Sequence, residues 1–232
     1  VEELYDCLND PQNLKNLSES EDHENILVRM RGGLLKHLIQ SRDLGFVPEY
    51  EAWVACKDSS GWENGLSGEI DLKKILRAAY SVGRAGEKKL LGLLNSEEES
   101  VRYWGAIGLA AGKGKLSEQG ILVLREALLD SSPSVRIEAA NALATHGEIR
   151  PAVRALINEL GHKNLIVVTH AARTIELLGS KAKEALPAMK ECLERAHSIR
   201  PPDLSPVVVL PGDQDMAMFV GFSCRAFIEQ CE

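Results

Sequence analysis

The middle of the chain carries a hydrophobic pattern that occurs three times. Each copy has a valine, an alanine five residues later, a leucine or isoleucine three residues after that, and a closing glycine. The copies are Val101-Ala106-Leu109-Gly112, Val135-Ala140-Leu143-Gly147 and Val167-Ala172-Ile175-Gly179. Apolar residues with this spacing share one face of an α-helix, and glycine is favoured just past a helix end. Each copy therefore predicts one helix.

A second apolar pattern accompanies these helices. Leucines four residues apart occur at Leu90 and Leu94, Leu124 and Leu128, and Leu156 and Leu160. Pro151 and Pro187 each precede an alanine, and proline suits the first turn of a helix because its missing amide has no partner there. The sequence thus predicts helix pairs that repeat every 32–34 residues, which is typical of an α-solenoid.

The repeats resemble HEAT repeats, because a valine-arginine step occurs at Arg102 and Arg136 after an acidic turn. The resemblance implies that these arginines pair with turn acids along one edge of the solenoid. Val168 replaces the arginine in the third unit, so we expect the ladder of pairs to stop there. A weaker first unit runs from 71 to 94, with Ala79, Val82 and Gly86 in the frame and Lys74 in the valine position. It looks like an atypical capping repeat.

The pattern breaks after Arg195. The segment 198–212 holds four prolines and a glycine, which predicts an extended excursion, since proline interrupts helices. A last helix is expected to follow, with Asp213 or Asp215 as its N-cap. We expect its apolar face to consist of Met218, Phe219, Phe222 and Phe227. This face would cap the solenoid or, alternatively, dock another domain.

The first 40 residues follow a different pattern. Residues 2–6 predict a short strand, and 9–11 predict a turn in which Asp10 caps a helical turn starting at Pro11. Ser18 and Glu21 fit a capping box. The helix after them would place apolar side chains on one side, namely Ile26, Leu27, Met30, Leu34, Leu38 and Ile39. Two glycines in this helix, Gly32 and Gly33, suggest a bend or a tight contact.

The beginning of the chain also resembles a known family. The stretch that closes the catalytic domain of sulfatases is matched at Glu3, Leu4, Tyr5, Asp6, Asp10, Pro11, Asn16 and Leu17. The chain departs from that form at Cys7 and Asn13, where leucine and glutamate are usual. The stretch RDLGFVPE at 42–49 is similar to one found in bacterial sulfatases that carry HEAT repeats. A lone strand without sheet partners likewise suggests that an amino-terminal part is missing.

The sulfatase resemblance implies a hydrolase of sulfate esters that uses a formylglycine and a divalent metal such as calcium. The formylglycine comes from a C/S-x-P-x-R motif, and no cysteine of this chain begins one. We therefore expect no catalytic, metal-binding or cofactor-binding residue in the chain itself, and the matched residues to be structural. The expected partner is the amino-terminal catalytic domain of the same parent, and possible further partners are another protein or subunit. A periplasmic or secreted location follows only from this resemblance.

The charge and composition of the chain limit the classes of partner that it is expected to bind. The chain has a net charge of −7, which argues against a general nucleic-acid binder. Residues 1–69 and 196–232 are acidic, whereas 70–195 hold 19 basic and 15 acidic side chains. That basic balance would also suit a sulfated polysaccharide. The apolar run at 207–210 is far shorter than a membrane span, and no apolar run in the chain approaches that length. The five cysteines are unsuited to a zinc site or a disulfide framework because their number is odd and none form a C-x-x-C pair.

Few residues in the sequence are candidates for binding, catalysis or metal coordination. Trp53 and Trp62 flank a glycine-rich stretch that we expect to be a loop, and they would pack at a domain junction or, alternatively, reach a partner. Trp104 lies within a repeat and is expected to pack in the core. The Gly-Lys-Gly-Lys run at 112–115 lacks the spacing of a phosphate loop and predicts a turn between helices. The six histidines show no metal-binding spacing.

These observations predict an all-α fold, a HEAT-like α-α superhelix preceded by the strand, turn and helix that end a sulfatase α/β domain. Residues 1–69 would be the sulfatase tail and linker, 70–195 the HEAT-like repeats, and 196–232 a proline-rich loop with a capping helix. The predicted role is a non-catalytic structural and interaction module. The alternatives are a free-standing HEAT scaffold or a HEAT-type enzyme, such as a bilin lyase or a DNA glycosylase.

Overall fold

A computed structural model describes residues 2–112, 114–205 and 208–232, and all regular secondary structure in these ranges is helical. The first helices are α1 (Glu24–Gln40), α2 (Glu49–Ala55), α3 (Gly61–Ser67), α4 (Leu72–Tyr80), α5 (Glu87–Leu93) and α6 (Glu99–Ala110). They are followed by α7 (Glu118–Ala127), α8 (Pro133–Thr145), α9 (Ile149–Leu160), α10 (Leu165–Leu178), α11 (Leu186–Ile199) and α12 (Ala217–Cys231). Short 3₁₀ segments cover Glu21–His23, Gly179–Ala185 and Gln214–Met216.

From α4 onward, the helices alternate between two layers. Helices α6, α8, α10 and α12 form one layer and pack closely on their neighbours, whereas α5, α7, α9 and α11 touch one another only sparsely. Small residues make the close packing possible: Gly105 and Gly108 face Leu90 and Leu93 of α5, with no room for a Cβ atom at Gly108. We call this more tightly packed layer, which contains α6, α8, α10 and α12, the inner layer.

The three-fold hydrophobic frame is confirmed. Its valines, alanines and branched aliphatic residues are all at most 2% exposed. All of them except Val101 and Val135 belong to one continuous core that runs from Leu90 to Cys231, and Val101 belongs to a small core beside it. The predicted leucines of the second layer contribute Leu124 and Leu156 to this core. Pro151 and Pro187 both lie in the first turn of their helices, α9 and α11.

Two of the three closing glycines behave as predicted. Gly147 and Gly179 have φ values of 94° and 58°, which other residues adopt only with strain. Gly112 does not have a positive φ; after α6 it is Gly114, with φ 112°, that takes this conformation. Lys113, in the predicted turn between these glycines, lies outside the described residues. The described residues of this run, Gly112, Gly114 and Lys115, lie between α6 and α7.

The first unit forms a helix pair, α4 and α5, but the predicted frame is shifted. Ala78 and Ile75 are buried, at 1% and 0% exposure, whereas Ala79 is only partly buried. The glycine with positive φ is Gly83, at 71°, and Gly86 instead precedes α5 as its N-cap. Helix α4 buries Leu72, Ile75, Leu76 and Ala78, so its buried face is offset by one residue from the predicted frame.

The carboxyl-terminal helix is present, but its predicted cap and face are wrong. Neither Asp213 nor Asp215 caps it: the Asp213 carboxylate accepts from the Leu165 amide at 3.1 Å, and Asp215 pairs with the Arg200 guanidinium. The buried face consists of Ala217, Val220, Gly221, Ser223, Cys224, Phe227 and Cys231. Of the predicted aromatic face only Phe227 is buried, whereas Phe219 and Phe222 are about half exposed and contact each other.

Helix α12 packs on both α10 and α11, so it caps the end of the solenoid. The predicted excursion before it includes Pro206 and Val207, which lie outside the described residues. The apolar run at 207–210 is described only from Val208. The described part of 200–213 contains no helix.

The predicted strand at 2–6 is wrong. These residues form no ladder; instead the Leu17 amide donates to the Leu4 carbonyl at 2.7 Å and closes a loop. No helical turn starts at Pro11. The capping box of Ser18 and Glu21 is absent as well, and the Ser20 hydroxyl bonds the His23 ring instead.

Helix α1 is continuous but mostly exposed. Leu27 is its only buried residue, in a small cluster with Leu4 and Leu17. Met30 and Leu34 are 56% and 60% exposed. The predicted tight contact at Gly32 and Gly33 is not found, since a Cβ atom at either would meet nothing within 4 Å. The apolar side of α1 therefore lacks a partner among the described residues.

Candidate interaction surface

The stretch at 42–49 and helix α2 lie across the solenoid. The Trp104 indole of α6 donates to the Phe46 carbonyl at 2.8 Å, and the two rings lie 5.9 Å apart. Trp104 is partly buried and packs against the small core of Ile75, Ala78 and Val101, so it combines its predicted core packing with a junction role. It connects the amino-terminal segment to the first complete repeat.

Helix α2 is bound at the start of the next repeat. Both carboxylate oxygens of Glu51 accept hydrogen bonds, one from the Ser132 hydroxyl and one from the Ser134 hydroxyl. Ser132 is the N-cap of α8 and also accepts from the Val135 amide at 3.1 Å. A carboxylate beside a helix amino terminus is favoured by the helix dipole. Tyr50 adds an edge-on contact with His162, at 5.6 Å between ring centres.

A polar cluster lies on the inner layer beside this bridge. Glu138 of α8 accepts from Asn141 at 3.1 Å and contacts the His170 Nε2 atom of α10 at 2.8 Å. The Tyr103 ring of α6 faces His170 edge-on. Burial, together with the carboxylates of Glu138 and Glu51, raises the pKa of Tyr103. The phenol therefore stays neutral, and the cluster connects three successive repeats without a free nucleophile.

The predicted arginine ladder is present. The Arg102 guanidinium donates to both carboxylate oxygens of Asp130 at 2.7 and 2.8 Å, and Arg136 binds Glu159 at the same distances. Each arginine also donates to the carbonyls five and six residues before it. Burial raises the pKa of Asp130, but the hydrogen bond from Arg102 and the Ser132 amide outweigh it and leave that pKa below its usual value. Val168 is fully buried, so the ladder stops as expected.

The residues that match the sulfatase stretch form a compact loop. The Asn16 side chain accepts from the Leu4 amide and donates to the Glu2 carbonyl, both at 3.0 Å. The Asp6 carboxylate accepts from the Asn9 side-chain amide at 2.7 Å and also from the backbone amides of Asn9 and Leu8, and these hydrogen bonds hold its pKa below the usual value.

The remaining matched residues complete that loop. Leu4 and Leu17 are buried, at 8% and 9% exposure, and the Asp10 carboxylate accepts from the Lys15 amide at 2.8 Å. Tyr5 is partly buried and Pro11 is exposed. The matched polar residues and leucines therefore lie together in the structure, where they stabilise this loop.

The two tryptophans proposed for an interaction loop are not in a loop. Trp53 lies in α2 and Trp62 in α3, which begins with a capping box between Ser60 and Glu63. They are 46% and 67% exposed, so neither is packed into a junction. The Ser-x-x-Glu spacing was present in the sequence, but three nearby glycines made a loop the stronger prediction.

A basic cluster that the sequence analysis did not single out lies at the other end of the molecule. Arg84, in the turn between α4 and α5, and Arg31 of α1 both bind the Glu2 carboxylate. The hydrogen bond from Arg31 is the main reason that the pKa of Glu2 falls to about 2. The basic residues between Lys73 and Lys89 were the feature of the sequence from which this cluster could have been predicted.

Within the described ranges, no three side chains of His, Cys, Asp or Glu are grouped so that they could hold a metal ion. No helix there is long and apolar enough to cross a membrane.

Comparison with known proteins agrees with the repeat architecture. The family model of HEAT repeats matches residues 121–200, from within α7 to the end of α11. No curated protein and no solved structure matches the chain. Residues 121–200 are therefore HEAT repeats, an architecture that suggests a structural or interaction module.

Proposed function

We propose that this chain is the non-catalytic, carboxyl-terminal HEAT-repeat region of a sulfatase. In this role the repeats are a rigid support that holds the amino-terminal segment and docks the catalytic domain of the same parent. The catalytic domain would supply the formylglycine and the divalent metal, since the chain itself has no C/S-x-P-x-R motif.

The observation that carries the proposal is the open apolar side of α1. Met30 and Leu34 are more than half exposed, and this helix follows the sulfatase-like loop directly. Exposed apolar patches rimmed by polar residues are typical of interaction sites. The loop and the stretch at 42–49 are each fastened, by Asn16 and by Trp104, so that α1 is held between two fixed points.

The first test is the intact mass of the native polypeptide and its hydrolysis of an aryl sulfate ester. We expect a mass well above 25.4 kDa and measurable hydrolysis by the whole protein. A native mass of 25.4 kDa, or a longer protein that hydrolyses no sulfate ester, would contradict the proposal.

The second test concerns docking. In the whole protein, the double substitution Met30→Asp and Leu34→Asp should loosen the catalytic domain and increase cleavage between the two parts by a protease. Leu129→Asp is the matched control, because Leu129 is 88% exposed and lies away from α1, between α7 and α8. Equal cleavage of both variants would show that α1 is not the docking face.

A further inference from the structure

A groove of about 740 Å³ lies between α4, α5 and the start of α6. Its floor is apolar and comprises Leu76, Ala78, Leu93 and Val101, with Leu35 of α1 at one side. Leu76, Ala78 and Val101 are at most 3% exposed, so they fix the floor from beneath. The apolar surface that a ligand can reach comes from Leu35 and Tyr80, which are 39% and 50% exposed, and from the partly buried Leu93. We call this surface the α4–α5 groove.

The rim of the α4–α5 groove is strongly basic. Lys74, Arg77, Arg84 and Lys89 line it, and Glu97 is the one acidic residue among its lining. Lys74, Arg77 and Lys89 are exposed and form no ion pair with any carboxylate of the described residues. The rim therefore has positive charge that nothing in the described chain neutralises.

The fourth basic residue, Arg84, shows that the rim can bind a carboxylate. The Arg84 guanidinium binds the Glu2 carboxylate at 2.9 Å and also lies 4.3 Å above the Tyr80 ring. A carboxylate of an extended segment is thus already bound at the groove's end. Tyr80 is half exposed, and its ring extends the apolar floor towards that carboxylate.

We propose that the α4–α5 groove binds an amphipathic helix of a partner protein, with leucine-like side chains on one face and glutamate or aspartate on its flanks. An apolar floor between two helices suits a helix that presents apolar residues at i, i+3, i+4 and i+7. The unpaired cations on the rim complement acidic flanks and select against basic or neutral helices. A sulfated polysaccharide would use the rim but leave the apolar floor uncovered.

The test uses the full chain and a synthetic, fluorescently labelled acidic amphipathic helix of about four turns. A peptide of the same composition in scrambled order, which has no apolar face, is the matched control peptide. We expect the amphipathic peptide to bind with an anisotropy change that weakens as salt is raised, and the scrambled peptide to bind at least ~10-fold more weakly.

Two sets of protein variants locate the binding. Arg77→Glu with Lys89→Glu should weaken binding by ~10-fold or more, and Leu35→Ser should weaken it while leaving the charge of the groove unchanged. Arg150→Glu with Lys181→Glu is the matched control, since both residues are exposed, basic and outside the groove. Circular dichroism of each variant checks that the helices remain.

Three outcomes would overturn the proposal: no binding of the amphipathic peptide, equal binding of the scrambled peptide, or equal weakening by the control variant. A heparin-type oligosaccharide that binds the rim while the peptide does not would assign the groove to polyanions instead. This proposal goes beyond the proposed function, and since its test uses only this chain, its failure would leave sulfate-ester hydrolysis by the parent unaffected.

Discussion

The solenoid from α5 to α12 and the amino-terminal segment from 2 to 69 are stabilised in different ways. The solenoid shares one continuous apolar core, with Ala140, Leu143 and Ile175 fully buried. The amino-terminal segment has a cluster of only three leucines, Leu4, Leu17 and Leu27. A segment with so little buried apolar surface gains little from its own core.

Polar contacts to the solenoid hold the amino-terminal segment in place instead. Glu51 binds two serines at the start of α8, Trp104 binds the Phe46 carbonyl, and Glu2 binds Arg84. We therefore expect the solenoid to fold without the segment, and the segment to depend on the solenoid. Local opening free energies should differ accordingly between the two regions.

The largest expected effect is in the solenoid core. Leu143→Ala removes a fully buried side chain and should lower the free energy of unfolding by about 3–4 kcal/mol. Leu34→Ala, in the exposed side of α1, should change it by less than about 0.5 kcal/mol. Chemical denaturation followed by circular dichroism measures both. Similar losses for the two variants would mean that α1 is as firmly packed as the repeats.

The arginine ladder is the next strongest contribution. Arg136→Ala should cost about 3 kcal/mol, because it leaves the Glu159 carboxylate, whose side chain is 3% exposed, buried without its cation. Arg154→Ala is the matched control: Arg154 pairs with Glu184 on the surface at 3.7 Å and should cost under about 1 kcal/mol. If both variants lose the same amount in thermal or urea unfolding, the ladder is a surface feature.

The bridge between the two regions should have an intermediate, local effect. Glu51→Ala removes both serine contacts. It should lower the free energy of locally opening α2 by about 1–2 kcal/mol, while the solenoid stays folded. Hydrogen exchange of the α2 amides measures this, with Glu49→Ala as a control in the same helix. Unchanged exchange in α2 would show that other contacts fasten it.

The solenoid could be predicted because each repeat has the same hydrophobic periodicity. Val135, Ala140 and Leu143 share one helix face whatever their neighbours are, and three copies made the frame unambiguous. The shifted first unit shows the limit: Ala78 rather than Ala79 is buried, and Gly83 rather than Gly86 has the positive φ. A single divergent copy, with Lys74 in the valine position, does not fix the register of its buried helix face.

The amino-terminal segment was harder to predict, because its order comes from contacts distant in sequence. The Asn16 side chain replaces the ladder that a strand at 2–6 would have needed, and Glu51 binds serines more than 80 residues away. Neither contact leaves a periodic signal. The apolar pattern of α1 correctly indicated a helix, yet only Leu27 is buried, since a pattern shows a face and not what covers it.

The smallest expected effect is at Glu2, where acid should separate the two regions. Arg31 holds the pKa of Glu2 at about 2 instead of 4.5, so the contact with Arg31 and Arg84 is fully present above pH 4.5 and is lost as the pH falls towards 2. Faster hydrogen exchange of residues 2–17 in that window, with the repeat helices still protected, is the expected result. Because Glu2→Gln removes the titrating carboxylate, that variant should exchange quickly already at pH 5 and show no added loss below it. A loop that opens with the same pH dependence in both proteins would show that another carboxylate, such as Asp6, controls it.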